Sequence, residues 1–87
     1  MKNDYVDEFL TKEFYKSSDF ALVTTISLYF PIVSVDKTDP KRVLFTFEQS
    51  KKLGKLLDLY WQGKVMIEPQ QFFSQLKNIK TRIYSNK

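Results

Sequence analysis

Ten carboxylates and fourteen basic side chains carry the charge of this 87-residue sequence, and their spacing decides what chemistry is open to it. The acids are scattered, and Asp7-Glu8 is the only adjacent pair. Neighbouring side chains diverge on a helix or a strand, so this pair reads as solvated surface rather than as an acid/base dyad. Asp36-Lys37-Thr38-Asp39 has the opening of a calcium loop but lacks its glycine and its distant bidentate glutamate, so a turn is expected there. No glycine-rich phosphate cradle and no nucleophile elbow is present. The absence of cysteine and histidine removes thiol nucleophiles, imidazole bases, zinc sites built from those ligands and disulfides. The expectation is a protein that is not an enzyme, with no catalytic residues, no metal, no cofactor and no small-molecule substrate.

Binding remains, and two groups of side chains suit it. The first is basic. Lys51, Lys52 and Lys55 fall together, as do Lys77, Lys80 and Arg82, with Lys37, Lys41 and Arg42 between two apolar runs. Such groups, sharing a face, would neutralise phosphates and release counterions, by backbone contact rather than base reading. The alternative is a solubilising surface. The sequence has none of the glycine–aromatic signatures of an RNA-recognition motif and no short helix-turn-helix link. The second group is aromatic. Eight Phe, five Tyr and one Trp exceed what a plain core needs, and Tyr29, Tyr60, Trp61, Phe73 and Tyr84 are the candidates for a protein interface, since phenols and indoles seek polar partners at an apolar edge. A small domain also gains stability by covering such a patch with a second copy of itself.

The elements that must position these groups follow from periodicity. Tyr5, Val6, Phe9 and Leu10 have weak helical spacing ahead of Phe14 and Tyr15. Ser17-Ser18-Asp19 offers acceptors to a helix over about 19–30, in which Leu22, Val23, Ile26, Tyr29 and Phe30 recur, although Val23–Ile26 is β-branched. Pro31 stops it. Ile32–Asp36 and Arg42–Glu48 alternate as strands, and the short turn-rich link predicts an antiparallel hairpin. Ser50 caps a second helix with the stripe Leu53, Leu56, Leu57, Tyr60 and Trp61, ended by Gly63. Lys64–Ile67 alternates as an additional strand, and Pro69 opens a third helix bearing Phe72, Phe73, Leu76, Ile79 and Ile83. The expected core is Leu22, Ile26, Val33, Val43, Phe45, Phe47, Leu53, Leu56, Leu57, Trp61, Phe72, Leu76 and Ile79.

These elements make one α+β domain, a small antiparallel sheet built on a β-hairpin with about three helices packed on it. Its bounds are 17–87, preceded by an acidic segment over 1–16. Composition agrees, at 43% hydrophobic and 28% charged, which suits a globular chain. The net charge of +4 is unevenly placed, with −2 over residues 1–20 and +4 over residues 69–87. The opening MKNDYVDEFL predicts neither a signal nor a transit peptide, and no apolar run is long enough to span a bilayer, so the cytoplasm is the expected location and no membrane partner is expected.

From Ser17 to Ser85 the segments SSDFAL, YFP, VDKTDPKRVLFTF, LDLYWQGKVMIEPQQFF and LKNIKTRIYS resemble a family of small prokaryotic and phage-associated proteins, domain of unknown function five-six-five-nine. The resemblance supports the element order and implies no activity, cofactor or site; residues 1–16 fall outside it. The functional expectation is therefore a non-enzymatic binding module acting through a protein–protein interface, self-association included. The alternative is a basic nucleic-acid-binding domain using Lys51, Lys52, Lys55, Lys77, Lys80 and Arg82.

Overall fold

Every helix in the computed structural model, which describes residues 12–84, starts at an acceptor that the sequence places just ahead of an apolar run. Helix α1 spans Phe20–Ser27, α2 Lys51–Trp61 and α3 Pro69–Tyr84. The Asp19 carboxylate accepts from the N–H groups of Ala21 and Leu22, at 3.0 and 3.3 Å. Ser50 Oγ accepts from Leu53 N–H at 3.1 Å, and Glu68 Oε1 from Gln71 N–H at 2.7 Å. These side chains satisfy donors that the first helical turn cannot pair internally. At the far end of α2, Gly63 takes a φ of 72°. It returns its N–H to Tyr60 O while Lys64 donates to Leu59 O, a left-handed stop that glycine enters at little cost.

The sheet has strand order β1-β3-β2, with β1 at Phe14–Ser17, β2 at Ser34–Asp36 and β3 at Leu44–Glu48, and both pairings are antiparallel. Tyr15 lies opposite Phe47, and Phe45 has Ser17 on one side and Val35 on the other. The expected hairpin is β2–β3. Its turn is organised by two carboxylates, Asp36 accepting from Thr38 N–H and Asp39 from Lys41 N–H, each at 2.9 Å. The third strand is not Lys64–Ile67, which has no regular secondary structure and joins no ladder. Both edges of β3 are already taken, one by β2 and the other by Phe14–Ser17, of which all but Ser17 belongs to the acidic segment expected to precede the domain. The helical spacing of Tyr5, Val6, Phe9 and Leu10 lies outside the described residues.

Helix α1 is buried along five consecutive residues, Leu22–Ile26. That explains its β-branched composition, because no side of this stretch faces water. Its two buried threonines turn their hydroxyls back onto the helix, Thr24 to Phe20 O at 2.6 Å and Thr25 to Ala21 O at 2.9 Å, so neither is left unsatisfied. Helix α1 packs chiefly on α3 and also on α2. Ser27 Oγ accepts from Gln75 Nε2 at 2.9 Å and pins the first of these crossings. Leu22, Val23 and Ile26 share one core with Val43, Phe45 and Phe47 of the β3 segment, Leu53 of α2 and Ile79 of α3.

Six of the expected core residues lie outside this buried cluster: Leu56 and Leu57 pack against it, Phe72 and Leu76 do not, and Val33 and Trp61 are exposed. Val33 is 51% exposed, sitting before β2 at the sheet margin, and Trp61 is 66% exposed. The stripe of α2 continues to Trp61 in sequence, but Trp61 occupies the helix's last turn, where no neighbouring element covers it. Leu56, Leu57, Phe72 and Leu76 are half-buried. The helix expected over 19–30 ends at Ser27, after which Tyr29 and Phe30 both donate to Ile26 O at 2.9 Å. No helix among the described residues is long and apolar enough to cross a membrane.

Candidate interaction surface

Where the link between α2 and α3 turns, apolar side chains from four segments enclose an open cleft of about 440 Å³. Thr25 comes from α1, Tyr60 from the last turn of α2, Gly63, Val65 and Ile67 from the link, and Pro69, Phe72 and Phe73 from the first turns of α3. The alternation of Val65 and Ile67, which suggested a strand, serves instead to turn both side chains toward this cleft. Both are half-buried, while Met66 between them is 87% exposed.

Tyr60 is the polar member of the wall. Burial pushes its phenol pKa above the ordinary value, and the nearby Asp19 carboxylate adds to the effect, since both disfavour a phenolate. The Trp61 ring stands edge-on to Tyr60, with centroids 5.0 Å apart and planes at 87°, the favoured geometry for two quadrupoles. Phe73 is 57% exposed, and the Lys77 ammonium lies 5.0 Å from its ring centroid, within cation–π range. The cleft can therefore take an apolar side chain, with an indole at one side and a cation at another.

The expected interface residues divide accordingly. Tyr60 and Phe73 line the cleft, and Trp61 adjoins it through its contact with Tyr60. Tyr29, at the C-terminal end of α1, does not line it, and Tyr84 belongs to a separate shallow hollow with Lys77, Lys80 and Thr81 on α3. The reading of residue types missed Val65 and Ile67; the signal was present as alternation but pointed to a ladder.

The basic residues also separate into two groups. Lys51, Lys52 and Lys55 are exposed on α2, and Lys77, Lys80 and Arg82 are exposed on α3. Each of these helices makes its main helix contact with α1 rather than with the other, so the six do not share one helix face. Lys51 and Lys52 stand in a first turn that holds no acid, where the helix dipole disfavours positive charge. Among the described residues the ion pair seen is Lys12 with Glu48, at 3.5 Å, and no group of three or more carboxylates is arranged to hold a metal.

A small three-stranded sheet carrying three helices and an aromatic cleft defines an α+β module. The chain belongs to the family described as Domain of unknown function (DUF5659), whose sequence profile matches residues 12–85. That match starts upstream of Ser17 and so takes in β1, which completes the sheet. No curated protein and no solved structure matches the chain.

Proposed function

We propose that this chain is a non-enzymatic binding module whose cleft receives an apolar side chain from a partner protein. The observation that carries this reading is an apolar recess with exposed rings at its margin: exposed Phe73 lines a cleft together with Tyr60, Val65, Ile67 and Phe72, and the exposed Trp61 ring stands edge-on to Tyr60. Large exposed rings beside a preformed apolar recess are the anatomy of an interface centre. Lys64 and Lys77 beside the cleft favour an anchor flanked by carboxylates. Self-association through the same surface is the weaker form of this reading, because it gives the Lys77 beside Phe73 no carboxylate within the cleft lining to meet.

The test is a titration of the ¹⁵N-labelled chain with an acidic peptide bearing one central phenylalanine, beside the same peptide with alanine in its place. Expected are shifts at Tyr60, Val65, Phe72 and Phe73 with the first peptide and none with the second. Equal responses to both peptides, or shifts confined to the lysines, overturn the reading.

The nucleic-acid alternative draws support from Lys51 and Lys52, which sit against the dipole of α2 without a compensating acid in its first turn. It predicts oligonucleotide binding that weakens steeply with salt and is abolished by Lys51→Glu with Lys52→Glu. Anisotropy with labelled single and double strands at low and moderate salt measures it, and no binding at low salt overturns it.

A further inference from the structure

The apolar cleft does not end at Phe73. That ring also lines a neighbouring recess with Pro69, Gln70 and Ser74. The Lys77 ammonium, 5.0 Å from the Phe73 centroid, is in turn a wall of the hollow formed with Lys80, Thr81 and Tyr84. With about 3.6 residues to a helical turn, Phe73, Lys77, Lys80 and Tyr84 fall on one flank of α3, whereas Arg82 falls roughly half a turn away from Phe73. All four side chains on this flank are exposed, and α3 meets the core through Ile79 and Ile83 instead.

The strip carries one sign of charge. Residues 69–84 hold no carboxylate, and among the described residues neither Lys77 nor Lys80 has an ion pair. Both ammonium groups therefore keep their attraction for an incoming anion, and the Thr81 and Tyr84 hydroxyls beside them can donate to it. At about 1.5 Å per residue, Lys80 lies roughly 10 Å from Phe73 along α3 and Tyr84 roughly 16 Å. An extended peptide advances about 3.3 Å per residue. A side chain seated in the cleft thus places the positions three to five residues away over the hollow.

We propose that the cleft and the hollow are two halves of one site for an extended, acidic partner segment: an apolar anchor fills the cleft, and paired carboxylates three to five residues away are held by Lys77 and Lys80. This rests on the reading of the cleft as a receptor for an apolar side chain, and it adds a register. The carboxylates lie on the side of the anchor that runs toward the C-terminal end of α3, and Arg82, on the other flank, takes no part. Spacing rather than total charge then selects the partner, because an acid too far from the anchor meets neither lysine.

The test uses the full-length protein and four peptides, each with a single phenylalanine. One is uncharged, one carries two glutamates three and four residues after the ring, one carries them three and four residues before it, and one carries them nine and ten residues away. Anisotropy of the labelled peptides gives affinities, and ¹⁵N shifts give the contacts. Expected is binding at least about threefold tighter for the better of the two close placements than for the uncharged or the distant one, within the worth of two exposed ion pairs, with shifts at Lys77, Lys80, Thr81 and Tyr84 joining those at Tyr60 and Phe72. Lys77→Gln with Lys80→Gln should erase that gain, whereas Lys51→Gln with Arg82→Gln, which removes the same charge elsewhere, should keep it. Equal affinity for close and distant placements, or equal loss in the two double variants, overturns the register, while shifts at Tyr60 and Phe72 with the uncharged peptide leave the cleft's own reading standing. No shift at the cleft with any peptide overturns both. Shifts at the hollow with oligothymidylate and none with the peptides assign it to nucleic acid, and shifts that grow with protein concentration alone assign it to a second copy; either overturns the proposal.

Discussion

Trp61 and Phe47 show how two aromatic residues in strong hydrophobic patterns acquire different roles. Phe47 is fully buried in the central strand, whereas Trp61 is 66% exposed at the end of α2. Phe47→Ala is expected to cost about 3–5 kcal/mol, enough to threaten a domain of this size, while Trp61→Ala is expected to cost less than about 1 kcal/mol. Urea unfolding followed by circular dichroism checks both, and a Trp61 loss as large as that of Phe47 would contradict the exposed position. Asp36 supplies a pH-dependent counterpart. Hydrogen bonds from the Thr38 side chain and backbone, with Lys16 nearby, hold its pKa below the ordinary value of 3.8. A lowered folded-state pKa means stability that is present above the unfolded value and lost as pH falls through the folded one. Asp36→Asn should therefore flatten the acid side of the stability profile below about pH 4, as thermal scans from neutral to acidic pH would show. The sequence revealed Asp36 as a turn residue, and the lowering of its pKa comes chiefly from Thr38 two residues on, with Lys16 of a separate strand adding least.

Segments with a local signal were legible as elements, and those defined only by long-range pairing were not. The start of α2 at Ser50, its stop at Gly63 and the start of α3 at Pro69 were all readable, because caps act within a few residues. The hairpin was equally local. Phe14–Ser17 and Lys64–Ile67 are both short and partly apolar, and what separates them is which one reaches the free edge of β3, a fact no window of sequence contains. The cleft was half legible for the same reason: Tyr60 and Phe73 stood out as rings, but Val65 and Ile67 gained meaning only from the turn between two helices. Two predictions belong at this scale. Asp19→Ala should cost about 1 kcal/mol by uncapping α1 and should also lower the Tyr60 pKa toward its ordinary value, read from ring resonances in a pH titration. Gly63→Ala should cost about 1 kcal/mol for the left-handed backbone alone, since nothing lies within 4 Å of where its Cβ would sit; a neutral effect on the unfolding midpoint would contradict this.

Charge decides what approaches the molecule as a whole. With +4 net and the excess toward the C-terminal end, acidic partners are steered to α3 and the cleft beside it. Association with the phenylalanine-bearing acidic peptide should slow as salt rises while its dissociation changes little, which stopped-flow fluorescence of Trp61 measures. The sheet imposes another order on the molecule. Since β3 lies between β1 and β2, neither outer strand has a ladder to join until Leu44–Glu48 exists. On a ribosome, β1, α1 and β2 must therefore wait as unpaired chain while β3 is made, and α1, with five consecutive residues that the fold buries, waits with them. The interval before Glu48 clears the exit tunnel is thus the period in which this protein is most exposed to chaperones and to misassociation, and a stall placed after β3 has emerged should shorten it where one placed before β3 prolongs it.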